Sequence, residues 1–184
     1  MTYGEYIYGI GNGEQNMLFL NLSWGFGIGM IIGGKLHYGK SGFSGEYGHF
    51  PFFDNEIICS CGKRGCLETE VSGWAAHRMF MDKIKQGNIS MLSKHNQEVN
   101  DVTLNDILDV LAKEDMLAIE IMEQIGSSLG RAIAGLINMF NPEVVVLGGT
   151  LSAAKDYLLL PIKSAINKYA LNFVSKDTAI KVDR

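Results

Sequence analysis

The segment GEYGHFPFFDNEIICSCGKRGCLE, residues 45–68, holds all three cysteines of the 184-residue chain, one of its four histidines, and the carboxylates of Glu46 and Glu68. Cys59, Cys61 and Cys66 stand as C-x-C-x4-C. Three thiols within eight residues cannot all pair inside the molecule, and such crowding suits a metal knuckle better than a disulfide framework. Structural zinc takes four tetrahedral ligands from thiolate and imidazole. The cysteines supply three, and His49, nine intervening residues upstream, is placed for a hairpin return that makes it the fourth. Gly62 and Gly65 let the loop fold back so that backbone N–H groups face sulfur. The alternative is three buried, inert thiols, cysteine being among the most buried residue types. Lys63 and Arg64 either offset thiolate charge or occupy a solvated turn.

The elements that must position this segment follow from periodicity. Residues 1–10 have a helical pattern that begins without a capping residue, which predicts a helix continuing from an upstream segment. After a turn at Gly11-Asn12-Gly13, MLFLNLS is a continuous apolar run of strand length, and FGIGMIIGGKLHYG reads as two further strands bent by glycines. Residues 40–66 have no sustained period and read as a structured loop carrying a site. Leu67 to Gln86 reads as helix, residues 87–102 as a short helix and loop, and TLNDILDVLAK as a helix with Thr103 as N-cap. Residues 114–140 give the clearest element. Ala118, Ile121, Met122, Ile125, Leu129, Ala132, Ile133, Leu136, Ile137 and Phe140 recur at three and four, so they define one buried face. Gly126, Gly130 and Gly135 in that helix predict close approach of another backbone. Asn141-Pro142 ends it, and EVVVLGG reads as a buried parallel-type strand closed by a tight turn. Residues 153–171 form an amphipathic helix interrupted near Pro161, and TAIKV a final strand. This alternation implies a layered α/β fold.

Composition excludes several classes. With 47% apolar and 20% charged residues the chain can bury one core and is expected to form one domain over residues 1–184. A net charge of −4 offers no basic face for a phosphate backbone. No apolar run reaches the ~20 residues that span a bilayer, and the N-terminus lacks the pattern of a signal peptide, so the expected location is cytoplasmic.

The pairing of GEYGH at 45–49 with CSCGKRGCLE at 59–68 resembles the signature of the ROK family, whose members are bacterial sugar kinases and sugar-responsive repressors. The likeness runs over the whole chain. KLHYGKSGFSGEYGH resembles the stretch between strands and sugar site, and NPEVVVLGGTLS the adenosine-side strand and its Gly-Gly turn. It is greatest to the N-acetylglucosamine and xylose repressor type. The resemblance implies an actin-like ATPase (ribonuclease H-like) lobe with a mixed sheet, packed helices and a zinc-knuckle loop. It also implies zinc on His49, Cys59, Cys61 and Cys66, and a monosaccharide or sugar derivative bound by Glu46, His49 and Glu68. Carboxylates accept sugar hydroxyls through strong, directional bonds, and a metal on one imidazole nitrogen fixes the other N–H for a sugar oxygen.

Within the family, kinases need an Asp base before the helix that begins at Met1 and a first phosphate loop in an N-terminal lobe; neither lies in this chain. The family's last helix would follow Arg184, so the chain reads as the excised larger lobe. At the second phosphate loop the kinases usually carry G-T-G-I-G, where this chain has Ser23, Trp24, Gly25, Phe26 and Gly27. Gly25, Gly27, Gly148 and Gly149 remain as remnants of nucleotide loops, and ATP is not expected to bind. The resulting expectation is a sugar-sensing effector domain of a transcriptional repressor with no catalytic residue, contacting DNA only through an upstream module. The alternatives are a fragment of an ATP-dependent sugar kinase and a zinc-stabilised dimerisation module. Homodimerisation is expected through the glycine-spaced helix with Trp74 and Phe80, unless the core of the monomer claims them.

Overall fold

The computed structural model describes residues 2–9, 13–95 and 102–183. Helix α1 (Thr2–Tyr8) precedes strands β1 (Met17–Leu22), β2 (Phe26–Ile32) and a two-residue β3 (Lys35–Leu36). After the 37–67 loop come helices α2 (Glu68–Val71), α3 (Gly73–Lys85), α4 (Leu104–Leu111) and α5 (Met116–Phe140). Strand β4 (Val144–Gly148), helices α6 (Asp156–Tyr169) and α7 (Asn172–Ser175), and strand β5 (Ala179–Val182) complete the order.

The five strands form one mixed sheet in the order β3-β2-β1-β4-β5. β1 runs antiparallel to β2, with Met17 opposite Ile31 and Leu22 opposite Phe26, and parallel to β4, with Met17 beside Val144. Period-two alternation then sorts the side chains. Leu18, Leu20, Leu22, Val145 and Leu147 join the main core beneath the large helices, whereas Met17, Phe19, Ile31, Val144 and Val146 form a second cluster with Tyr6 of α1. Burial on both faces is why MLFL and VVVL read as continuous apolar runs rather than alternating ones.

Nine of the ten apolar positions expected on the α5 face are buried; Phe140, the last residue of the helix, is 38% exposed. The glycines divide. A Cβ at Gly126 would meet Pro161 Cγ at 2.6 Å, and one at Gly130 would meet the Ile162 carbonyl oxygen at 2.5 Å, so α6 lies directly on both. Gly135 has only the Tyr47 hydroxyl near it, at 3.7 Å. Pro161 does not interrupt α6. It removes one backbone donor, but its ring fills the notch at Gly126, and the helix runs on to Tyr169. Residues 150–154, including the expected start of that helix, form instead a 3₁₀ segment that ends where Lys155 adopts a left-handed φ of 49°.

The helix expected over 67–86 is two helices. Ser72 is extended (φ −92°, ψ 171°), and its hydroxyl accepts the Ala75 N–H as the N-cap of α3. The Gly73 N–H donates to the Ser23 carbonyl at 2.7 Å, so the break docks α3 on the β1–β2 turn. Thr103 caps α4 in a full capping box with Asp106. Of the predicted Gly11-Asn12-Gly13 turn only Gly13 is described, and residues 96–101 likewise lie outside the described residues. No helix among the described residues is long and apolar enough to cross a membrane.

Candidate metal centre and adjoining cleft

The 37–67 loop is pinned to the sheet through positions where a side chain does not fit. A Cβ at Gly45 (φ 95°) would collide with the Ile28 carbonyl, and one at Gly48 would come 2.8 Å from the Phe26 carbonyl oxygen. Both conditions press the Glu46–His49 turn against β2. The outer half of the loop closes on itself. Phe52 and Phe53 N–H groups both donate to the Gly65 carbonyl, Leu67 N–H to Phe50, and Cys59 N–H to Lys63. Gly65, at φ 72°, lies where a Cβ would strike the Phe53 carbonyl. Cys59, Cys61 and Cys66 are thereby turned toward His49.

The four candidate ligand atoms lie within 4.8 Å of one another. His49 Nδ1 is 3.5 Å from Cys59 Sγ, and Cys61 Sγ is 3.6 Å from Cys66 Sγ. A tetrahedral zinc with ordinary bond lengths would hold sulfur–sulfur pairs about 3.8 Å apart and sulfur–nitrogen pairs about 3.5 Å apart. The donor set and its spacing therefore fit such an ion. Burial pushes the Cys66 thiol up to about 12, with further contributions from Cys61 and Cys59. The Lys63 backbone N–H lowers the exposed Cys61 thiol, with the Lys63 charge adding to it. Arg64 turns away and pairs with Glu56.

The other face of the imidazole looks outward. His49 Nε2 lies 3.7 Å from Glu46 Oε2, and Glu46 is largely exposed. Glu68, the first residue of α2, is held at both oxygens. Its Oε2 accepts the Phe26 N–H at 3.0 Å, and its Oε1 accepts the Ser60 hydroxyl at 3.3 Å and lies 3.8 Å from Cys59 Sγ. Cys59 thus touches both His49 and Glu68, which ties the two polar residues to the knuckle. No motif marks Ser60 or the Phe26 N–H as site groups; the signal for Ser60 is its place between two cysteines of the candidate cluster.

Of the glycines expected as nucleotide-loop remnants, Gly25 abuts Glu68, a Cβ there coming 3.1 Å from Oε2, and Gly27 has open space around it. Gly148 is packed under the Phe19 ring. Gly149, at φ 91°, sits on the end of β1, where a Cβ would come 2.7 Å from the Leu22 carbonyl oxygen. Ser23 bridges the two loops, its hydroxyl donating to Asn21 Oδ1 at 3.0 Å and accepting the Thr150 N–H at 3.4 Å.

Trp24 is 53% exposed and lines a cleft of roughly 550 Å³ together with Trp74, Ile58, Ser60, Thr69 and Glu68. Trp74 thus belongs to a ligand-sized hollow. Phe80 is wholly buried, and Gly126 and Gly130 are covered by α6, so the core of the monomer has claimed those three parts of the surface expected to dimerise.

Comparison with known proteins agrees with this architecture. The family model described as "ROK family" matches residues 1–183. The glucokinase of Halalkalibacterium halodurans is 34% identical over 180 residues, covering 97% of this chain and 54% of that protein. The N-acetylglucosamine repressor of Escherichia coli O6:H1 is 33% identical over 171 residues, covering 93% of this chain and 41% of that protein. Among solved structures, a ROK family transcriptional regulator described as a homologue of the E. coli MLC protein superposes with a TM-score of 0.88 at 30% identity, covering 100% of this chain and 45% of that one. The chain spans about half the length of these relatives, which include both enzymes and regulators. With a family model matched over residues 1–183 and relatives at 33–34% identity over more than nine-tenths of its length, the chain belongs to the ROK family.

Proposed function

We propose that residues 1–184 are the larger, sugar-sensing lobe of a ROK-family transcriptional repressor that acts in the cytoplasm. A structural zinc on His49, Cys59, Cys61 and Cys66 would hold His49 so that its Nε2–H, with Glu46 and Glu68, binds a monosaccharide or sugar derivative. The observation that carries this reading is the division of the His49 ring: Nδ1 lies among the thiols and Nε2 beside a carboxylate. A metal on Nδ1 leaves the proton on Nε2, which makes that nitrogen a fixed donor. DNA would be contacted by a module elsewhere in a longer protein. Self-association, which a repressor reading two half-sites requires, would use surface other than Phe80, Gly126 and Gly130.

A sugar kinase fragment is the second reading. It is favoured by the 34% identity to a glucokinase and by the retained Gly148–Gly149 turn on β1. Trp24 weighs against it. At the β1–β2 turn, where the family's kinases usually carry a threonine, the chain presents a bulky exposed indole whose single N–H is a poor substitute for a small hydroxyl beside a phosphate. Sensing needs only that bound and free forms differ in conformation, whereas phosphoryl transfer needs groups placed for a transition state.

The test is an assay of the intact protein for ATP-dependent sugar phosphorylation beside sugar-induced release from operator DNA. The expected result is release, with a coupling of about 1–3 kcal/mol between sugar and DNA, and no phosphorylated sugar. Turnover at ordinary kinase rates would overturn the assignment in favour of the second reading.

A further inference from the structure

The cleft beside Glu68 is built from both tryptophans of the chain. Their backbones are joined, the Trp74 N–H donating to the Trp24 carbonyl at 2.9 Å. Each indole is also supported by a neighbour. His77 packs beside Trp24 with ring centroids 5.7 Å apart, and its own Nε2 is anchored at the Val102 carbonyl at 2.8 Å. The Arg78 guanidinium lies 5.7 Å from the Trp74 ring centroid and is engaged by the Thr69 carbonyl, Glu70 and Asp82. The two rings are therefore set before any ligand arrives, which spares a ligand the cost of ordering them.

The chemistry of the walls selects the ligand. Indole faces and the Ile58 side chain suit the C–H faces of a sugar ring, while Glu68 Oε1 and the Ser60 hydroxyl offer polar partners at the rim. Among the described residues no lysine or arginine lines the cleft, and the charged wall is the Glu68 carboxylate. A phosphate placed there would give up hydration and meet the Glu68 carboxylate, while the nearby Arg78 guanidinium, 5.7 Å from the Trp74 ring, is already paired with Glu70 and Asp82. The walls thus favour a neutral ring over a sugar phosphate or the phosphates of a nucleotide.

Neither Glu46 nor His49 lines this cleft, whereas Glu68 does. Glu68 is also tied to His49 through Cys59. A ring held at Glu46 and His49 would consequently need a substituent reaching past Glu68 to enter the hollow. We propose that the effector is an uncharged glycoside of more than one ring, a disaccharide, with one ring at Glu46, His49 and Glu68 and the second in the Trp24–Trp74 cleft. The proposal rests on the sugar-binding reading of the same site and adds the size and charge of the ligand.

The test is calorimetric titration of the intact protein with glucose, N-acetylglucosamine and xylose, each also as its β-1,4-linked and α-1,4-linked dimer, and with glucose 6-phosphate. One of the dimers is expected to bind on the order of tenfold tighter than its own monosaccharide. Trp24→Ala should collapse that ratio toward one, and Trp74→Phe should reduce it. Because both tryptophans of the 184-residue chain line the cleft, the preferred dimer should also shift its intrinsic emission without any substitution. Monosaccharides binding as tightly as every dimer, or glucose 6-phosphate binding tightest, would overturn the proposal and leave the sugar-sensing reading standing. If no sugar of either size binds, that reading falls as well.

Discussion

Nδ1 of His49 lies 3.5 Å from Sγ of Cys59, ten positions later in the chain, and this contact joins the sulfur cluster to the polar face that carries Glu46. The segment around it is held by its own hydrogen bonds, by glycine contacts to β2 and by Tyr47, Phe52 and Phe53 against the core, whereas α5 is buried along nearly its whole inner face against several other elements. Removal of a metal from the knuckle should therefore act locally.

Protein purified without chelator is expected to contain one zinc per chain. Stripping it should raise amide exchange across residues 45–68 while the buried amides of α5 stay protected, because ligand binding and folding are coupled only where the ligands are. Metal entry should release protons, since Cys66 without metal keeps its thiol proton until about pH 12. Elemental analysis and hydrogen exchange check both points; a metal-free preparation with unchanged exchange over 45–68 would contradict the assignment of the knuckle.

Two glycines of α5 should respond to alanine with opposite sign. Helix propensity favours alanine by about 1 kcal/mol at either position. At Gly130 the added methyl would press on the Ile162 carbonyl oxygen at 2.5 Å and the Ala165 Cβ at 2.7 Å, and backbone cannot move aside cheaply. Overpacking of about 1–3 kcal/mol should outweigh the gain, so Gly130→Ala lowers stability. At Gly135, exposed and with only a hydroxyl 3.7 Å away, the gain should survive. Urea unfolding of the two variants measures the difference.

The capping box of α4 carries a pH signature. The Thr103 hydroxyl, and then its backbone N–H, hold the Asp106 carboxyl below its ordinary value. A depressed folded pKa means that the unfolded chain binds the proton more readily, so the stabilisation is present above the ordinary value and is lost as pH falls through the folded one. Thr103→Ala should cost about 1 kcal/mol near neutrality. It should also flatten this acid limb of a stability profile measured below pH 4 or so. An unchanged acid limb would show that the box does not act on Asp106.

Much of this arrangement was legible before any coordinates. The α5 face could be read because its apolar residues repeat at the helical period over many turns, and the Cys59, Cys61, Cys66 and His49 cluster because three thiols that close in sequence point to one another and leave an upstream histidine as the nearest further donor. What could not be read depends on contacts between distant residues. Ser72 breaks the 67–86 helix because Gly73 and Trp74 donate to Ser23 and Trp24, some fifty positions earlier, and local periodicity carries no trace of such pairings. The same contacts bring the two indoles together, so the cleft was invisible as a sequence pattern. Pro161 misled for a related reason: its effect on α6 is decided by Gly126 on another helix. The orientation of the His49 ring, on which the functional reading turns, exists only once the loop has closed.

If a metal-held histidine reads the sugar, then sugar affinity of the intact protein should follow its zinc content when measured before zinc removal, after it, and after zinc is restored. Stripping the metal should weaken sugar binding at least tenfold and adding zinc back should restore it, since Nε2 of His49 loses its fixed orientation when Nδ1 loses the ion. Equal sugar affinity in folded protein with and without zinc would contradict it.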